Sequence, residues 1–346
     1  MTLPAIAVVG AGAIGRKHVA ALAQSRTARL AALVDPSPAA AALAAEHGVP
    51  LGADLADLGD VAGVILATPT ALHLAQALYC IGRGWPVLVE KPVAATAAEG
   101  VQMAAAADAA GVPVLVGHHR RHNPRIAAAR AALQSGAVGR VIAVQASVLL
   151  CKPDDYFGPG WRRKPGAGPV LTNLIHEIDT MRHLLGEVAS VQAVTSNAVR
   201  GFAVEDSAVA LLRFASGALA TVTVSDAAAA PWSWELTAEE NPDYPPTGQS
   251  CLLISGTEGA LELPNLRLWR HAKGPRGWFT PLLSQDLAVE DTDPLTRQID
   301  HFAAVIAGAE PLVSAADAAR SVAVVDAILR AAKTGHSETP HQGAAA

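Results

Sequence analysis

The sequence predicts an α/β fold in two domains. A parallel sheet layered with helices is followed by an α+β domain on an open, mostly antiparallel sheet. Three observations carry this. Over the first 120 residues, short β-branched strands alternate with helical stretches of about a dozen residues, the spacing of βαβ units. Beyond that, valine- and threonine-rich runs recur with few helices between them. Finally, of six tryptophans, three tyrosines and five phenylalanines, only Tyr79 and Trp85 precede residue 150, so the two halves differ in their tasks.

Taken in order, Ile6–Val9 is a strand and 13–24 a helix, and Leu30–Val34 with 37–47 repeats the unit. Val64–Ala67 leads to a helix over 71–83, Val87–Val89 to one over 96–110, and Val112–Val116 ends the series. Gly48, Gly84 and Gly111 stand just past helix ends, the place of a C′ cap. Alanine makes up about a fifth of the chain, and its small side chain lets these helices lie close on a sheet. After a helix at about 124–135, strands are expected at 140–149, 188–197, 204–214, 217–225, 250–255 and 259–263. Turn signals such as Ala215-Ser216-Gly217 join consecutive runs as in a meander. One helix, 171–185, precedes most of this sheet, and two more, at about 294–308 and 315–333, close the chain. The expected division is 1–122 and 123–335, the closing helices being able to pack back on the first domain, with a disordered tail over 336–346.

Composition narrows the classes. The net charge is −5 and only 16% of residues are charged, against 51% hydrophobic, which excludes a disordered chain. A mildly acidic protein whose one basic cluster is Arg162-Arg163-Lys164 lacks the footprint of a nucleic-acid binder. Cys80, Cys151 and Cys251 are isolated, which points to a reducing compartment without disulfides. The N-terminus has no basic n-region, and the uncharged stretch 61–82 is interrupted by Thr68-Pro69-Thr70, His73 and Gln76. A cytoplasmic protein without a membrane span is expected.

Gly10-Ala11-Gly12-Ala13-Ile14-Gly15 follows a strand and opens a helix, the context that gives the GxGxxG pattern its meaning in a Rossmann-type unit. The first glycine permits the tight turn, the second lets the backbone approach a pyrophosphate, and the third lets helix and strand pack closely. Unpaired N–H groups at the helix start then face the phosphates. Asp35, at the end of the second strand, is placed to accept hydrogen bonds from the ribose hydroxyls and to repel a 2′-phosphate, so NAD is favoured over NADP. No second segment supports FAD. Thr68-Pro69-Thr70, His73 and Glu90-Lys91-Pro92 lie at the carboxyl ends of further parallel strands, where ligands of open α/β sheets bind. A lysine there can hold a substrate hydroxyl and exchange its proton, or it can be a surface lysine paired with Glu90.

These pieces, with VGHHRRHNP at 116–124 and WRRKPGAGPVLTNLIHEID at 161–179, resemble the Gfo/Idh/MocA oxidoreductases in order and spacing over most of the chain. The resemblance implies NAD(P)-linked oxidation of a secondary alcohol on a sugar, polyol or related ring. It also implies a C-terminal sheet whose open face packs against another subunit, as a homodimer or homotetramer. By the same resemblance, Lys91 is the proton-relay residue with Lys91-Pro92 a cis peptide, His176 the general base, and Trp161 and Arg162 cofactor contacts. Cofactor contacts are thus expected from Gly10, Gly12, Ala13, Ile14, Gly15, Asp35, Thr68, Pro69, Thr70, His73, Glu90, Lys91, Arg121, Trp161 and Arg162. Substrate contacts are expected from Arg120, His122, Tyr156, Thr172 and Asn173.

One position departs from the family. Many members carry an aspartate four residues before the histidine, and here that residue is Thr172. Threonine cannot ionise, so base work falls to His176 or Lys91, while Thr172 or Asn173 can hydrogen-bond a hydroxyl. Asp179 shares a helical face with His176 and is read as structural. The histidines at 118, 119 and 122 have no adjacent acid or cysteine, so no metal is expected. An inositol-like dehydrogenase is the leading reading. A dehydrogenase of a glycoside or non-sugar cyclic hydroxy compound, and a non-catalytic NAD-binding sensor, are the alternatives.

Overall fold

The computed structural model describes residues 2–273, 276–290 and 292–341. Contacts group the chain into two units. The N-terminal unit comprises residues up to His122 and Thr292–Val322, and the C-terminal unit comprises Asn123 to residue 290 and Ala323–His341. The stretch 292–322 therefore groups with the first unit.

In the N-terminal unit the strands are β1 (Ala5–Val9), β2 (Arg29–Val34), β3 (Leu51–Gly52), β4 (Gly63–Leu66), β5 (Val87–Glu90) and β6 (Val114–Gly117). Between them run α1 (Ala13–Gln24), α2 (Ala39–Glu46), α3 (His73–Gly82) and α4 (Ala97–Ala110). All pairs are parallel, in the order β3-β2-β1-β4-β5-β6. The order reverses at β1, and the crevice beside that switch point is where ligands of such sheets bind. Gly48, Gly84 and Gly111 adopt positive φ at the helix ends, as their spacing indicated. The two-residue strand β3 was not visible in the sequence, being too short to show a period.

The C-terminal unit opens with α5 (Pro124–Gln134), β7 (Val141–Leu149), α6 (Pro169–Thr172), α7 (Ile175–Leu185), β8 (Val188–Ser196), β9 (Ser207–Phe214) and β10 (Leu219–Ser225). It continues with α8 (Trp234–Thr237), β11 (Leu252–Gly256), β12 (Gly259–Leu263), β13 (Arg267–His271) and β14 (Leu282–Asp286). The eight strands form one open sheet, β14-β13-β12-β11-β7-β10-β9-β8. Every pair is antiparallel except β7 with β10, which run parallel with Leu219 opposite Ala143 and Ser225 opposite Leu149. Side chains alternate as the pleat requires: Val144, Ala146, Val148, Ala210, Leu212, Val222 and Ile254 are buried, while Ile142, Leu211, Leu219 and Leu253 point to the open face.

The expected helix 171–185 is two helices. Pro169 starts the first, and Leu174 N–H reaches back to the Pro169 carbonyl at 2.9 Å, a wide turn that ends α6 before α7 begins. The strands β13 and β14 were not foreseen, because Arg267, Arg270 and His271 break the apolar alternation of the first and every residue of the second is exposed.

Two helices close the chain: α9 (Pro294–Ile306) and α10 (Ala315–Thr334). Ile299, Phe302 and Val305 of α9 join Ile6, Val8, Leu33, Ile65, Leu88 and Leu115 in the core of the N-terminal unit. Gly63 makes this possible, since a Cβ there would lie 2.7 Å from Ile306 Cδ1 and 3.0 Å from Phe302 Cζ. The expected tail is attached over its described part: Glu338 exchanges two 2.8 Å backbone hydrogen bonds with Val191 of the edge strand β8. Residues 342–346 of that tail lie outside the described residues. Among the described residues no helix is long and apolar enough to cross a membrane.

Candidate active site

The glycine loop is shaped by its neighbours. Gly10 has φ +100°, and a Cβ on it would meet the Ala67 carbonyl oxygen at 2.6 Å. A Cβ on Gly15 would lie 1.9 Å from the Gly10 carbonyl oxygen. Both positions are closed to side chains by the protein itself. Gly12 is different: a Cβ there meets no protein atom within 4 Å, and as the N-cap of α1 it provides no side-chain cap. The loop thus combines an open surface at Gly12 with the positive end of a helix, which suits a pyrophosphate. Ala13, Ile14 and Gly15 form the first turn of that helix.

Asp35 follows β2 directly. Its carboxylate accepts the Ala11 N–H at 2.7 Å and the Ser37 N–H at 2.8 Å, which aims it at the glycine loop. Partial burial works against its charge. The bonds from Ser37 and Ala11, with the Arg16 guanidinium, outweigh this and hold its carboxyl below the usual range. Loop, uncapped helix and acidic strand end together fit a dinucleotide.

The next two strand ends carry Thr68-Pro69-Thr70 and Lys91-Pro92, the latter a cis peptide as the resemblance implied. Buried His73 ties them together: Nδ1 lies 2.9 Å from the Pro92 carbonyl oxygen and Nε2 2.9 Å from that of Thr68. Its ring therefore braces the two loops. Thr68 donates to Gln76 at 2.5 Å.

Arg120, Arg121 and His122 are buried on a single 3₁₀ turn, His119–His122. Arg121, expected at the cofactor, forms an ion pair of 2.6 Å with Asp317 in the first turn of α10. His122, expected at the substrate, has Nε2 2.9 Å from His301 Nδ1, and His301 Nε2 donates to the Glu310 carbonyl. Burial, then the neighbouring basic groups of His301, His119, Arg297 and Arg121, push His122 down to about 3. These two residues bind the turn to the closing helices. The sequence could not show this, since their partners lie about 180 residues away in the chain. No group of three or more potential metal ligands forms among the described residues.

In the C-terminal unit, α6 and α7 hold Thr172, Asn173 and His176. Thr172 Oγ1 donates within the turn, toward the Gly168 carbonyl at 2.9 Å and Asn173 Oδ1 at 3.0 Å. The Asn173 carbonyl accepts the His176 N–H at 3.1 Å, so the three residues form one structural element. Asp179 is 1% exposed, and His183 lies against Arg130 of α5, 3.4 Å from it. The preceding loop stacks on itself: the Arg162 guanidinium lies 4.1 Å from the centre of the Tyr156 ring and donates to the Tyr156 carbonyl at 2.5 Å. Trp161 remains 61% exposed, available to a ligand in a way that Arg162 is not.

Lys152 was not singled out from the sequence. It is buried, with Nζ 3.4 Å from Asp226, 3.5 Å from Thr172 Oγ1 and 4.9 Å from the centre of the Tyr156 ring. Burial lowers its pKa, and the Asp226 charge works against that lowering. Arg200 holds the same Asp226 at 3.0 Å and donates to the Lys152 carbonyl at 2.9 Å. Lys152 and Asp226 lie just beyond the ends of β7 and β10, where Cys151 and Ala227 form an isolated antiparallel bridge and the Lys152 N–H donates to the Asp226 carbonyl at 2.8 Å, and no local pattern reports that pairing.

A family model described as an oxidoreductase family with an NAD-binding Rossmann fold matches residues 5–118, and the GFO/IDH/MocA C-terminal domain model matches residues 126–262. The chain belongs to the GFO/IDH/MocA family. Its N-terminal part matches that family's NAD-binding Rossmann domain. Among GFO/IDH/MocA relatives, the rhizopine catabolism protein MocA of Rhizobium meliloti is 32% identical over 211 residues, 58% of this chain and 65% of that protein. The chain thus spans just under two thirds of MocA's length. Inositol 2-dehydrogenase of Rhizobium meliloti (strain 1021) is 28% identical over 336 residues, 93% of this chain and 95% of that enzyme. The crystal structure of the WlbA dehydrogenase from Bordetella pertussis, in complex with NADH and UDP-GlcNAcA, superposes with a TM-score of 0.80 at 25% identity, covering 98% of this chain and 99% of that one.

Proposed function

We propose that the protein is an NAD-dependent dehydrogenase that oxidises a secondary hydroxyl of a cyclic polyol or sugar, with Lys91 and His176 handling the proton. The observation that carries this reading is the end-to-end similarity to an inositol 2-dehydrogenase, which takes in both the Lys91-Pro92 loop and the α7 histidine. NAD, when bound, accepts the hydride. Gly12 and the first turn of α1 hold the pyrophosphate, and Asp35 holds the ribose. Lys91 orients the substrate hydroxyl. His176 takes the proton as the C–H bond breaks, and Thr172 and Asn173 position a further hydroxyl.

Thr172 favours a second reading, in which the substrate is a glycoside or another cyclic hydroxy compound. A neutral hydroxyl at this position in place of a carboxylate suits a less polar ring than a fully hydroxylated one. NADH formation over a panel of cyclic polyols, sugars and glycosides separates the two readings. Lys91→Ala and His176→Ala should each lower kcat by about 10²-fold or more. Undiminished turnover in both variants would remove the proposed mechanism.

A homodimer or homotetramer through the open face of the C-terminal sheet belongs to the same proposal. That face exposes Ile142, Val209, Leu211, Leu219 and Leu253 around a shallow trough of 740 Å³.

A further inference from the structure

Glu90 was expected among the cofactor contacts, yet both of its carboxylate oxygens are engaged inside the protein. Oε1 accepts from His18 Nε2 at 2.7 Å, and Oε2 accepts the Lys91 N–H at 3.1 Å. Glu90 is 5% exposed and His18 is fully buried. Among the described residues His18 Nδ1 has no hydrogen-bond partner, so within them the carboxylate is the polar anchor of that ring. Space for the carboxylate is built in: a Cβ on Gly117 of β6 would lie 2.9 Å from Glu90 Cδ. One side chain thus spans the dinucleotide helix α1 and the peptide from which Lys91 departs.

We propose that Glu90, clamped by His18, is a positioning residue for Lys91 that fixes its backbone and supplies a permanent negative charge beside its ammonium group. This rests on the reading of Lys91 as the proton-handling lysine. Burying a lone carboxylate is costly, and a fold keeps one ionised only with donors and cations around it. Here burial opposes the charge. The His18 hydrogen bond, followed by the charges of His18, His119 and Lys91, overcomes that and holds Glu90 below its ordinary range. The titratable groups that act on Glu90 are His18 from α1, His119 from the turn after β6 and Lys91 itself, and His73 of α3 is bonded to the Pro92 carbonyl. The attraction is mutual. A fixed carboxylate raises the proton affinity of the neighbouring amine, so without it Lys91 would release its proton at lower pH.

The test reads Lys91 directly and needs no substrate. Acetic anhydride labels only the neutral amine, so peptide mass spectrometry of the full-length protein across a pH series gives the half-labelling pH of Lys91. Glu90→Gln should move that pH toward acid by about one unit or more, and Glu90→Asp, which keeps the charge, should move it less. NADH affinity and melting temperature, measured alongside, should show a folded, cofactor-competent protein. A purely structural role for the pair predicts an unshifted labelling curve in folded Glu90→Gln, and that result overturns the proposal. If Glu90→Gln does not fold, His18→Ala takes its place. It frees the carboxylate to drift from the lysine and should shift the curve in the same direction, so an unshifted curve there is equally decisive. Lys91→Ala separates the two ideas. Full turnover in that variant removes the proton relay but leaves the labelling result standing, whereas an inactive Lys91→Ala with an unshifted Glu90→Gln removes only the role of Glu90.

Discussion

A methyl group added at position 15 or at position 12 meets very different surroundings, and this separates what the loop needs for folding from what it needs for its ligand. At Gly15 the added carbon would lie 1.9 Å from a backbone oxygen. Gly15→Ala should therefore displace α1 from the sheet and cost about 1–3 kcal/mol, seen as a lower urea midpoint. At Gly12 no protein atom lies within 4 Å, so Gly12→Ala should leave the midpoint unchanged while weakening NADH binding about tenfold or more. Fluorescence titration with NADH checks the second half, and unchanged affinity would mean that the pyrophosphate lies elsewhere. Asp35→Ala should weaken NAD and relax discrimination against NADP, because it removes the carboxylate that would repel a 2′-phosphate. An unaltered preference would show the ribose contact to be misplaced. At this scale the sequence was most legible: the GxGxxG spacing and the capping glycines are patterns within a few consecutive residues, although the contacts that shape Gly10 and Asp35 come from Ala67 and Ala11.

Between elements, legibility fell wherever a contact joins distant segments. The turn His119–His122 looked like a ligand-facing loop because it follows the last parallel strand. The structure turns His122 toward His301 of α9 and Arg121 toward Asp317 of α10. This gives a pH dependence with a definite sign. His122 titrates at about 3 in the folded protein against an ordinary value of 6.5, so folding excludes its proton. Stability from this group is complete above pH 6.5 and is lost as the pH falls toward 3, by about 1.4 kcal/mol per pH unit across that window. Urea midpoints between pH 7 and pH 4.5 should fall in the wild type, and less steeply in His122→Gln. Equal slopes would exclude His122 as a source of acid sensitivity. Similarly, the single helix expected at 171–185 is divided because the wide turn that Leu174 N–H closes on the Pro169 carbonyl ends α6 at Thr172, before α7 begins at Ile175.

For the whole molecule, the open face of the eight-stranded sheet carries the largest consequence. Apolar residues alternate onto its exposed side, with Ile142, Leu211, Leu219 and Leu253 open to solvent, and this is the patch at which a subunit contact is proposed. Sedimentation should show more than one copy at micromolar concentration, and Leu211→Glu together with Leu219→Glu should shift the protein toward monomer. A wild-type protein that is monomeric throughout that range would leave the face without this role.

The chain alone determined that a parallel, helix-layered sheet comes first and a mostly antiparallel sheet second, and it carried the GxGxxG spacing that opens α1. Periodicity, glycine spacing and strand-end acids are local, and local physics writes them into consecutive residues. The tertiary structure decided which polar side chains remain available to a ligand. His18 and Glu90 close on each other, Arg121 and His122 are drawn to the closing helices, and Lys152 meets Asp226 just beyond the ends of β7 and β10. Burying a charged or polar group requires a partner, and in this chain those partners lie tens to hundreds of residues away, at separations over which the sequence carries no period.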